Sequence, residues 1–285
     1  MILKANIFPL NLLVINKSRM SKNNAFDNGI VILGAGNVAT HLAIAFFKSN
    51  NKVRFVYNRS INSAKELALQ INAEYSDDLK HVPSDADLYL ISVKDDAIEG
   101  IANKLNIKHG IIVHTAGGIS LDIFANTFEN FGVFYPLQTF TKSRKIDLSE
   151  VPILIEANNE ITKSKLFQLA FNITKSVFEI DSEKRKAIHL AAVFSCNFVN
   201  HMYFISSELM QNSNSTFDLL KPLIIETVNK AIEMQPENAQ TGPALRNDKK
   251  VIENHIKMLS RYPEFENIYR FVSDSIYKSN SKREN

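Results

Sequence analysis

A glycine-rich turn between an apolar run and an amphipathic segment is the feature that most limits what this chain can fold into. Residues 29–33 predict a buried strand, and residues 34–39 (GAGNVA) predict a tight turn that opens a helix near Asn37. In such a turn the first glycine allows the sharp bend, the second removes a Cβ that would strike a phosphate, and Ala39 is small enough to pack the helix on the strand. The N–H groups and the dipole of the helix favour phosphate charge. The sequence therefore predicts a dinucleotide site whose pyrophosphate is bound by Gly34, Gly36, Asn37 and Val38.

The second predicted strand spans residues 53–57, and the three residues that follow it indicate which dinucleotide fits. An NAD site carries Asp or Glu at this place to hold the ribose hydroxyls, whereas this chain carries Asn58, Arg59 and Ser60. The amide of Asn58 can bond a hydroxyl, and the guanidinium of Arg59 with the hydroxyl of Ser60 suits a 2′-phosphate. The sequence therefore predicts NADP(H) rather than NAD(H). The alternative is that Arg59 is only a solvated surface residue and that Ser60 only caps the next helix.

The composition is that of a globular protein long enough for two domains. The chain has 285 residues, of which 45% are hydrophobic and 22% are charged. The formal net charge is +3 and the basic residues are scattered among acids, so we expect no nucleic-acid partner. No metal site is predicted. The single cysteine, Cys196, excludes an internal disulfide, agrees with a reducing cytoplasm and is expected to pack inertly in an apolar helix.

Residues 1–28 are expected to be a disordered or mis-assigned extension. Residues 2–15 are apolar, but they include Pro9 and Asn11, lack a small-residue cleavage site and are too short to span a bilayer. Met20 precedes a polar lead-in to the first strand. We therefore expect translation to start at Met20.

Continuous apolar runs along the next part of the chain are typical of the strands of a parallel sheet. They lie at residues 88–93, 111–113 and 131–134, and residues 151–155 and 177–180 extend the sheet around a helix at residues 162–173. The carboxyl ends of such strands form the ligand side of a doubly wound sheet, so Val93 is expected to contact the cofactor. Asp95 and Asp96 follow, and Asp96 has capping-box spacing to Glu99, which favours helix capping over a ligand role.

Glycines and polar residues follow the two later strands on the same ligand side. Thr115, Gly117 and Gly118 come after the strand at residues 111–113, and Gln138 comes after the strand at residues 131–134. Exposed backbone N–H groups of adjacent glycines can hold a carboxylate or a carbonyl, and Gln138 adds an adaptable donor. These four residues are predicted to bind substrate. The alternative, that Gly117 and Gly118 only form a turn, stays open.

Beyond Asp181 the pattern changes to long helices only. They are predicted at residues 183–211, 217–233, 248–261 and 265–277. The sequence thus predicts an α/β fold, with a doubly wound Rossmann domain at residues 29–181 followed by an all-helical domain at residues 182–285. Two such domains commonly form a cleft with cofactor on one side and substrate on the other.

Four motifs give the chain a resemblance to a bacterial family. They are residues 34–39 (GAGNVA), 135–140 (YPLQTF), 189–194 (HLAAVF) and 240–246 (QTGPALR). Over about residues 29–277 the chain resembles NADP oxidoreductases in which a Rossmann-like domain precedes an uncharacterised helical domain. More distantly it is similar to ketopantoate reductase, pyrroline-5-carboxylate reductase, deazaflavin-dependent NADP oxidoreductase and the 6-phosphogluconate dehydrogenase superfamily. The resemblance implies a helical domain of the 6-phosphogluconate dehydrogenase C-terminal-like type, and NADPH-dependent reduction of a small carbonyl or imine between the domains.

The catalytic lysine that several of those relatives carry on the first long helix is not matched here. Lys184 and Lys186 lack the asparagine one turn later, because Ile188 and Leu190 stand at those positions. The lysine mechanism therefore does not carry over.

The first long helix offers His189, Asn197 and Asn200 instead. Asn197 and Asn200 come eight and eleven residues after His189, a spacing that keeps all three on a narrow face of a regular helix. Histidine can move a proton near neutral pH, and asparagine can orient a carbonyl. We predict His189 and Asn197 as catalytic and Asn200 as substrate-binding, with His201 as a further candidate. The alternative is that these groups pair with backbone groups at a domain or subunit interface.

Residues 240–246 form a polar loop rich in glycine and proline, for which a bare turn is the default interpretation. Arg246 comes just before Asn247, a candidate helix cap. An arginine here can grip a substrate carboxylate with two hydrogen bonds, so Arg246 is predicted to bind substrate.

Together these observations predict a cytoplasmic, homodimeric NADP(H)-dependent oxidoreductase without a membrane segment. Its substrate is expected to be a small acid with a C=O or C=N bond, either a ketopantoate-like keto acid or a cyclic imine. One rival is a non-catalytic NADP(H)-binding regulator, which the missing lysine–asparagine pair keeps open. A second rival, a structural homodimer that has lost ligand binding, is disfavoured by the glycine turn.

Overall fold

The structure is a computed structural model that describes residues 26–281. An extension is predicted for residues 1–28, and its residues 1–25 lie outside the described residues. The translation start predicted at Met20 lies outside them as well. Phe26 is 2% exposed and packs in the core. The backbone N–H of Asn28 donates to Oδ2 of Asp87 at 2.6 Å. The fold therefore includes the end of the polar lead-in, before the predicted start at residue 29.

The described strands form one eight-stranded sheet with the order β3-β2-β1-β4-β5-β6-β7-β8. Their bounds are β1 (Ile30–Leu33), β2 (Val53–Tyr57), β3 (Glu74–Ser76), β4 (Leu88–Ile91), β5 (Ile111–His114), β6 (Phe131–Pro136), β7 (Ile153–Ala157) and β8 (Val177–Glu179). Neighbouring strands are parallel except β6 and β7. That pair is antiparallel because an irregular loop, without the crossover helix that parallel strands need, joins it. The doubly wound sheet predicted from the sequence is confirmed.

Helices cover both faces of the sheet. Their bounds are α1 (Asn37–Lys48), α2 (Ile61–Ile71), α3 (Ile98–Ala102) and α4 (Glu160–Phe171). Because side chains alternate along a strand, Ile30 and Ile32 pack in one core with α1, α2 and α4, while Val31 and Leu33 pack in a second core with α3. This two-sided burial explains the continuous apolar runs of the sequence.

The described chain beyond Asp181 is helical, as predicted. Its elements are α5 (Ser182–Ala192), a π-helical segment (Val193–Phe198), α6 (Val199–Asn212), α7 (Lys221–Met234), α8 (Pro236–Ala239), α9 (Lys249–Met258) and α10 (Pro263–Ser281). The chain divides into two compact units between Cys196 and Asn197, whereas the change from strands to helices falls at Asp181.

The second unit buries little of its own apolar surface. Among its described residues only Ala244 and Leu259 are buried. Large apolar side chains are instead exposed, among them Phe204, Leu219, Leu223, Ile225, Val228, Ile232, Met258 and Phe271. An apolar surface of this extent is characteristic of an interaction site.

The long helix Ser182–Asn212 has the length and composition of a membrane span. It has 31 residues, and its most apolar window has a mean hydropathy of 1.2, with 6% of that window buried. A single helix of this kind is weak support for a span, because helices of water-soluble proteins pass the same test.

Candidate functional site

Gly34 occupies a position that only glycine can fill without strain. Its φ is +118°, and a Cβ there would overlap the carbonyl oxygen of Ser92. The same Cβ would lie 3.1 Å from Cγ1 of Val93. The backbone N–H of Gly34 donates to the carbonyl of Tyr57 at 2.7 Å. The predicted sharp turn is therefore present, tightly packed against the end of β4 with Val93 beside it.

Gly36 has the opposite surroundings. It stands at the N-cap of α1 with φ −79°, and nothing lies within 4 Å of the position where its Cβ would be. No side chain caps α1, and its first turn holds no acidic residue. Free helix N–H groups beside an open space fit a phosphate. Ala39 is fully buried against the sheet, as a small residue there must be.

Asn58 links the glycine turn to the end of β2. Its Oδ1 accepts a hydrogen bond from the N–H of Ala35 at 3.2 Å, and its Nδ2 donates to the carbonyl of Ser60 at 3.1 Å. Ser60 caps α2, because its side chain accepts from the N–H of Ser63. Arg59 is exposed and makes no ion pair within residues 26–281, so its guanidinium is available to an anion.

A hydroxyl pair joins the loops that follow β4 and β5. Oγ1 of Thr115 donates to Oγ of Ser92 at 3.0 Å. The carbonyl of Ser92 also lies against Gly34. The loop after β5, which carries the predicted substrate residues, is therefore held beside the glycine turn. Ser92 was not predicted, although its place at the end of a buried strand was a signal for it.

His189 lies directly on the loop after β5. A Cβ at Gly117 would be 2.5 Å from both Cγ and Nδ1 of His189, so only glycine leaves room for the ring. Nδ1 of His189 lies 3.0 Å from Oη of Tyr135, with the two rings inclined at 85°. The structure thus brings the predicted His189 and Gly117 together. Tyr135 was missed as a site residue, although it ends a strand within the quoted YPLQTF motif.

Burial controls the protonation of Tyr135. It raises the pKa of the phenol above its ordinary value, which the positive charge of Arg185 opposes and the negative charge of Asp95 reinforces. The phenol is therefore neutral and carries its proton near pH 7.

A buried ion pair fixes the beginning of α5. Arg185 has a fully buried side chain that pairs with Glu156 of β7 and donates to the carbonyl of Ile119. Ser182 donates to the same carboxylate through its N–H and its hydroxyl, at 2.9 and 2.8 Å. These bonds attach to the sheet the helix that carries His189. Both the carboxylate of Glu156 and the carbonyl of Ile119 belong to the first unit, and Nε of Arg185 is buried without a hydrogen-bond partner among the described residues.

His114, the last residue of β5, is buried and uncharged. Burial lowers its pKa to about 3, and Arg185 contributes to the shift. Nδ1 of His114 accepts from the N–H of Ala116 at 3.2 Å, so the neutral ring carries its proton on Nε2.

The capping box predicted for Asp96 and Glu99 does not form. The residues Asp95–Ala97 form a 3₁₀ turn, and neither this turn nor α3 has a side-chain cap. The prediction was wrong because Ala97, the residue before α3, is already helical and leaves no extended N-cap. Oδ2 of Asp95 instead lies beside Gly118, where a Cβ added to the glycine would be 3.7 Å from that oxygen. Gln138 is exposed, and its Oε1 accepts from the N–H of Thr139 at 2.8 Å.

The residues predicted on the later part of the long helix are exposed. Asn197, Asn200 and His201 are all exposed, as is Cys196, which was expected to pack. The spacing argument assumed a regular helix, but Val193–Phe198 is π-helical and changes the rotation per residue. Asn197, Asn200 and His201 belong to the second unit, which encloses almost no core of its own.

Arg246 is also exposed, in the loop before α9. Asn247 has φ +52° and is not the cap of that helix. Asp248 caps it instead, by accepting from the N–H of Val251 at 3.3 Å. The roles predicted for Asn197, Asn200, His201 and Arg246, all in the second unit, stay predictions.

A cavity of about 780 Å³ on the first unit contains none of the predicted site residues. It lies between α1, α2 and the loop after β6, and its cations include Lys48, Lys142, Arg144 and Lys145. All four are exposed surface residues. The glycine turn, not this cavity, has the geometry that a dinucleotide needs.

Two family models match the chain. Residues 29–118 match "NADP oxidoreductase coenzyme F420-dependent", and residues 151–276 match "Domain of unknown function (DUF2520)".

Among solved structures, the "putative NADP oxidoreductase" of Bacteroides fragilis is 42% identical, with 87% of this chain and 97% of that chain covered and a TM-score of 0.83. An imine reductase of Myxococcus stipitatus in complex with NADP+ is 15% identical, with 89% and 93% covered and a TM-score of 0.58, a likeness of fold alone. A pyrroline-5-carboxylate reductase of Aquifex aeolicus is 25% identical over 91 residues, 32% of this chain. The chain spans about a third of that curated relative, 34% of its length.

Identity of 42% over nearly the whole Bacteroides protein, together with the order of the two matched domains, shows the family. The chain belongs to the NADP oxidoreductases in which a Rossmann-like domain precedes the helical "Domain of unknown function (DUF2520)".

Proposed function

We propose that this protein is an NADP(H)-dependent reductase of the C=O or C=N bond of a small, carboxylate-bearing substrate. Ketopantoate-like keto acids and cyclic imines are the candidate substrates. One observation carries the proposal: an open phosphate cradle at Gly36 and a histidine seated on Gly117 occur at the carboxyl edge of one Rossmann sheet. The names of the Aquifex and Myxococcus proteins, a pyrroline-5-carboxylate reductase and an imine reductase, support C=N as a target bond.

The cofactor residues of this proposal surround the glycine turn. Gly34, Gly36, Asn37 and Val38 would hold the pyrophosphate with the N–H groups that open α1. Arg59 and Ser60 would take the 2′-phosphate, Asn58 a ribose hydroxyl, and Val93 would contact the cofactor at the end of β4. Oδ1 of Asn37 already accepts from the N–H of Lys142 at 3.2 Å, which leaves its N–H₂ group for a ligand. When bound, NADPH supplies a hydride.

The substrate residues of the proposal come from two regions. Thr115, Gly117, Gly118 and Gln138 would line the loops after β5 and β6. Asn200 and Arg246 would bind the substrate and its carboxylate, Asn197 would orient the carbonyl or imine, and His189 would give the proton. The exposed guanidinium of Arg246 suits a carboxylate.

Oxidation of NADPH by the purified full-length chain tests the function. The substrate panel contains ketopantoate, pyrroline-5-carboxylate and other 2-keto acids, and Gly36→Val serves as the variant that cannot bind cofactor. We expect steady turnover with at least one substrate by the wild-type protein and none by the variant. Tight NADPH binding without turnover of any substrate would instead favour the regulator.

We further propose that the exposed apolar surface of the second unit is covered by a second copy of the chain. A helical unit that buries only Ala244 and Leu259 among its described residues cannot be stable through its own core. A homodimer would cover this surface, and it would remove the need for a membrane around the helix Ser182–Asn212. A cytoplasmic location belongs to the same proposal.

Sedimentation velocity of the full chain checks the assembly. We expect the mass of a dimer, and Phe271→Glu, at a side chain that is 77% exposed, should dissociate it. Lys278→Glu on the same helix is the matched control, because its site is polar. A monodisperse monomer, or co-sedimentation with phosphatidylglycerol vesicles, would contradict the homodimer.

A further inference from the structure

The contact between Tyr135 and His189 joins a phenol oxygen to an imidazole nitrogen. Oη and Nδ1 are 3.0 Å apart. Burial keeps the phenol protonated, and within the described residues its oxygen has no other hydrogen-bond partner. A half-buried hydroxyl needs an acceptor, and a neutral imidazole nitrogen is a good one. If the O–H group of Tyr135 donates to Nδ1, the ring of His189 carries its own proton on Nε2.

The ring of His189 is also fixed in place. Gly117 leaves no space between the loop backbone and the ring, since a Cβ there would be 2.5 Å from Nδ1. The nearby titratable or charged groups are Arg185, Asp95 and Cys196. Arg185 is paired with Glu156, so it does not compete for the phenol oxygen. Within residues 26–281 no group bonds to Nε2 of His189, which leaves that atom for a ligand.

We propose that Tyr135 acts through His189 as the source of the proton in the reduction, a role that rests on the proposed function. As the hydride reaches the carbon of the C=O or C=N bond, the π electron pair moves to oxygen or nitrogen and takes the proton from Nε2. Nδ1 takes the proton of the phenol in the same event, so the imidazole gains no net proton. Water then protonates Nε2 while the proton on Nδ1 returns to the phenolate, which restores the starting state. The transfer runs downhill, because the alkoxide or nitrogen anion left by hydride addition is a much stronger base than a phenolate.

The state of His189 can be measured without turnover. In ¹⁵N spectra of the full-length protein, His189→Gln identifies the signals of this ring among the seven histidines of the chain. We expect a protonated Nε2 and an unprotonated Nδ1 at neutral pH. In Tyr135→Phe this preference should disappear. A protonated Nδ1 in the wild-type protein, or unchanged signals in Tyr135→Phe, would overturn the proposal.

Kinetics with the substrate that the panel yields supply the second measurement. Tyr135→Phe should lower kcat by roughly 10²-fold, the scale of general-acid loss, and leave the Kd for NADPH unchanged. The matched control is Tyr269→Phe, because Oη of Tyr269 lies 2.8 Å from Nδ1 of His255 in an equivalent pair in the second unit. That variant should keep the wild-type kcat.

The two proposals can fail separately. Wild-type kcat in Tyr135→Phe would refute the proton source while the reductase activity stands. If the wild-type protein reduces nothing, the proposed function fails, and the ¹⁵N spectra still decide the hydrogen-bond direction. Equal thermal melting of wild type and Tyr135→Phe excludes loss of folding as the cause of a lowered kcat.

Discussion

The carbonyl oxygen of Ser92 stands where a side chain at Gly34 would have to lie. The glycine at this position is therefore dictated by the protein's own packing between β1 and β4. Two residues later, the space beside Gly36 is empty. Glycine is therefore needed at Gly34 for packing and at Gly36 for ligand space, and substitutions at the two positions should have different effects.

Gly36→Val should abolish NADPH binding with little loss of stability, because its φ of −79° suits any residue and the new side chain fills only the phosphate space.

Gly34→Ala should lower the melting temperature of the protein without ligand, because both its φ of +118° and the contact with Ser92 oppose a Cβ. Thermal melting with and without NADPH measures both effects. If NADPH still raises the melting temperature of Gly36→Val as in wild type, the cofactor binds elsewhere.

Arg59→Ala should remove most of the preference for NADP(H) over NAD(H). A charge-assisted contact to the 2′-phosphate contributes about 1.5–3 kcal/mol, so the wild-type preference should be on the order of ten- to a hundredfold. Titration of both cofactors measures it, and Arg144→Ala, at another exposed arginine, is the control. Equal affinities in the wild-type protein would refute the assignment of Arg59.

The sheet and the glycine turn could be predicted because their signals are local. Each buried strand is an apolar run, and the turn carries its own glycines. The antiparallel β7 was not predicted, because strand direction depends on how the intervening loop crosses the sheet. The apolar helices of the second unit were predicted as helices, but the exposure of their apolar side chains was not. Apolar periodicity along a helix shows that a face will be buried, and it does not show whether the same chain or another one buries it.

The site was predicted less completely than the fold. His189 and Gly117 were both named, yet their contact joins residues far apart in the chain and has no signature in spacing. Tyr135 was missed because a tyrosine at a strand end is ordinary until its partner is known. The argument that put His189, Asn197 and Asn200 on one narrow helix face assumed a regular α-helix, and the π-helical segment Val193–Phe198 removes that assumption without deciding the roles of these residues.

Substitutions in the proposed substrate site should separate chemistry from binding. His189→Gln and Asn197→Ala should lower kcat by roughly 10²-fold or more with little change in cofactor affinity. Arg246→Ala should act mainly on KM, because a carboxylate contact is shared by the ground and transition states. Steady-state kinetics of the three variants measure this. Near-wild-type kcat in both His189→Gln and Asn197→Ala would exclude them from the mechanism and direct attention to the turn at residues 115–118.

Glu156→Gln should be strongly destabilising, because it leaves the fully buried Arg185 without a counter-charge. Breaking one side of a buried pair lowers the free energy of unfolding by about 3–5 kcal/mol. Urea unfolding measures it, with Glu150→Gln as the control. Glu150 pairs with Lys175 at the surface, where the two side chains are 75% and 78% exposed, so that variant should lose less than about 1 kcal/mol. Equal losses in both variants would show that the buried pair does not hold α5 to the sheet.

His114→Asn should make the protein more resistant to mild acid. In the folded protein burial lowers the pKa of His114 from its ordinary value of 6.5 to about 3. Between these values the unfolded chain binds a proton that the folded chain does not, so the free energy of unfolding falls as the pH falls, by up to about 1.4 kcal/mol per pH unit. Asn keeps an oxygen that can accept from the N–H of Ala116, as Nδ1 does at 3.2 Å, and it cannot titrate. Urea unfolding at pH 7 and pH 5 should therefore show a smaller loss of stability in His114→Asn than in wild type, whereas His109→Asn, at an exposed histidine, should keep the wild-type loss. An unchanged loss in His114→Asn would mean that His114 is not the group that acid must protonate for the protein to unfold.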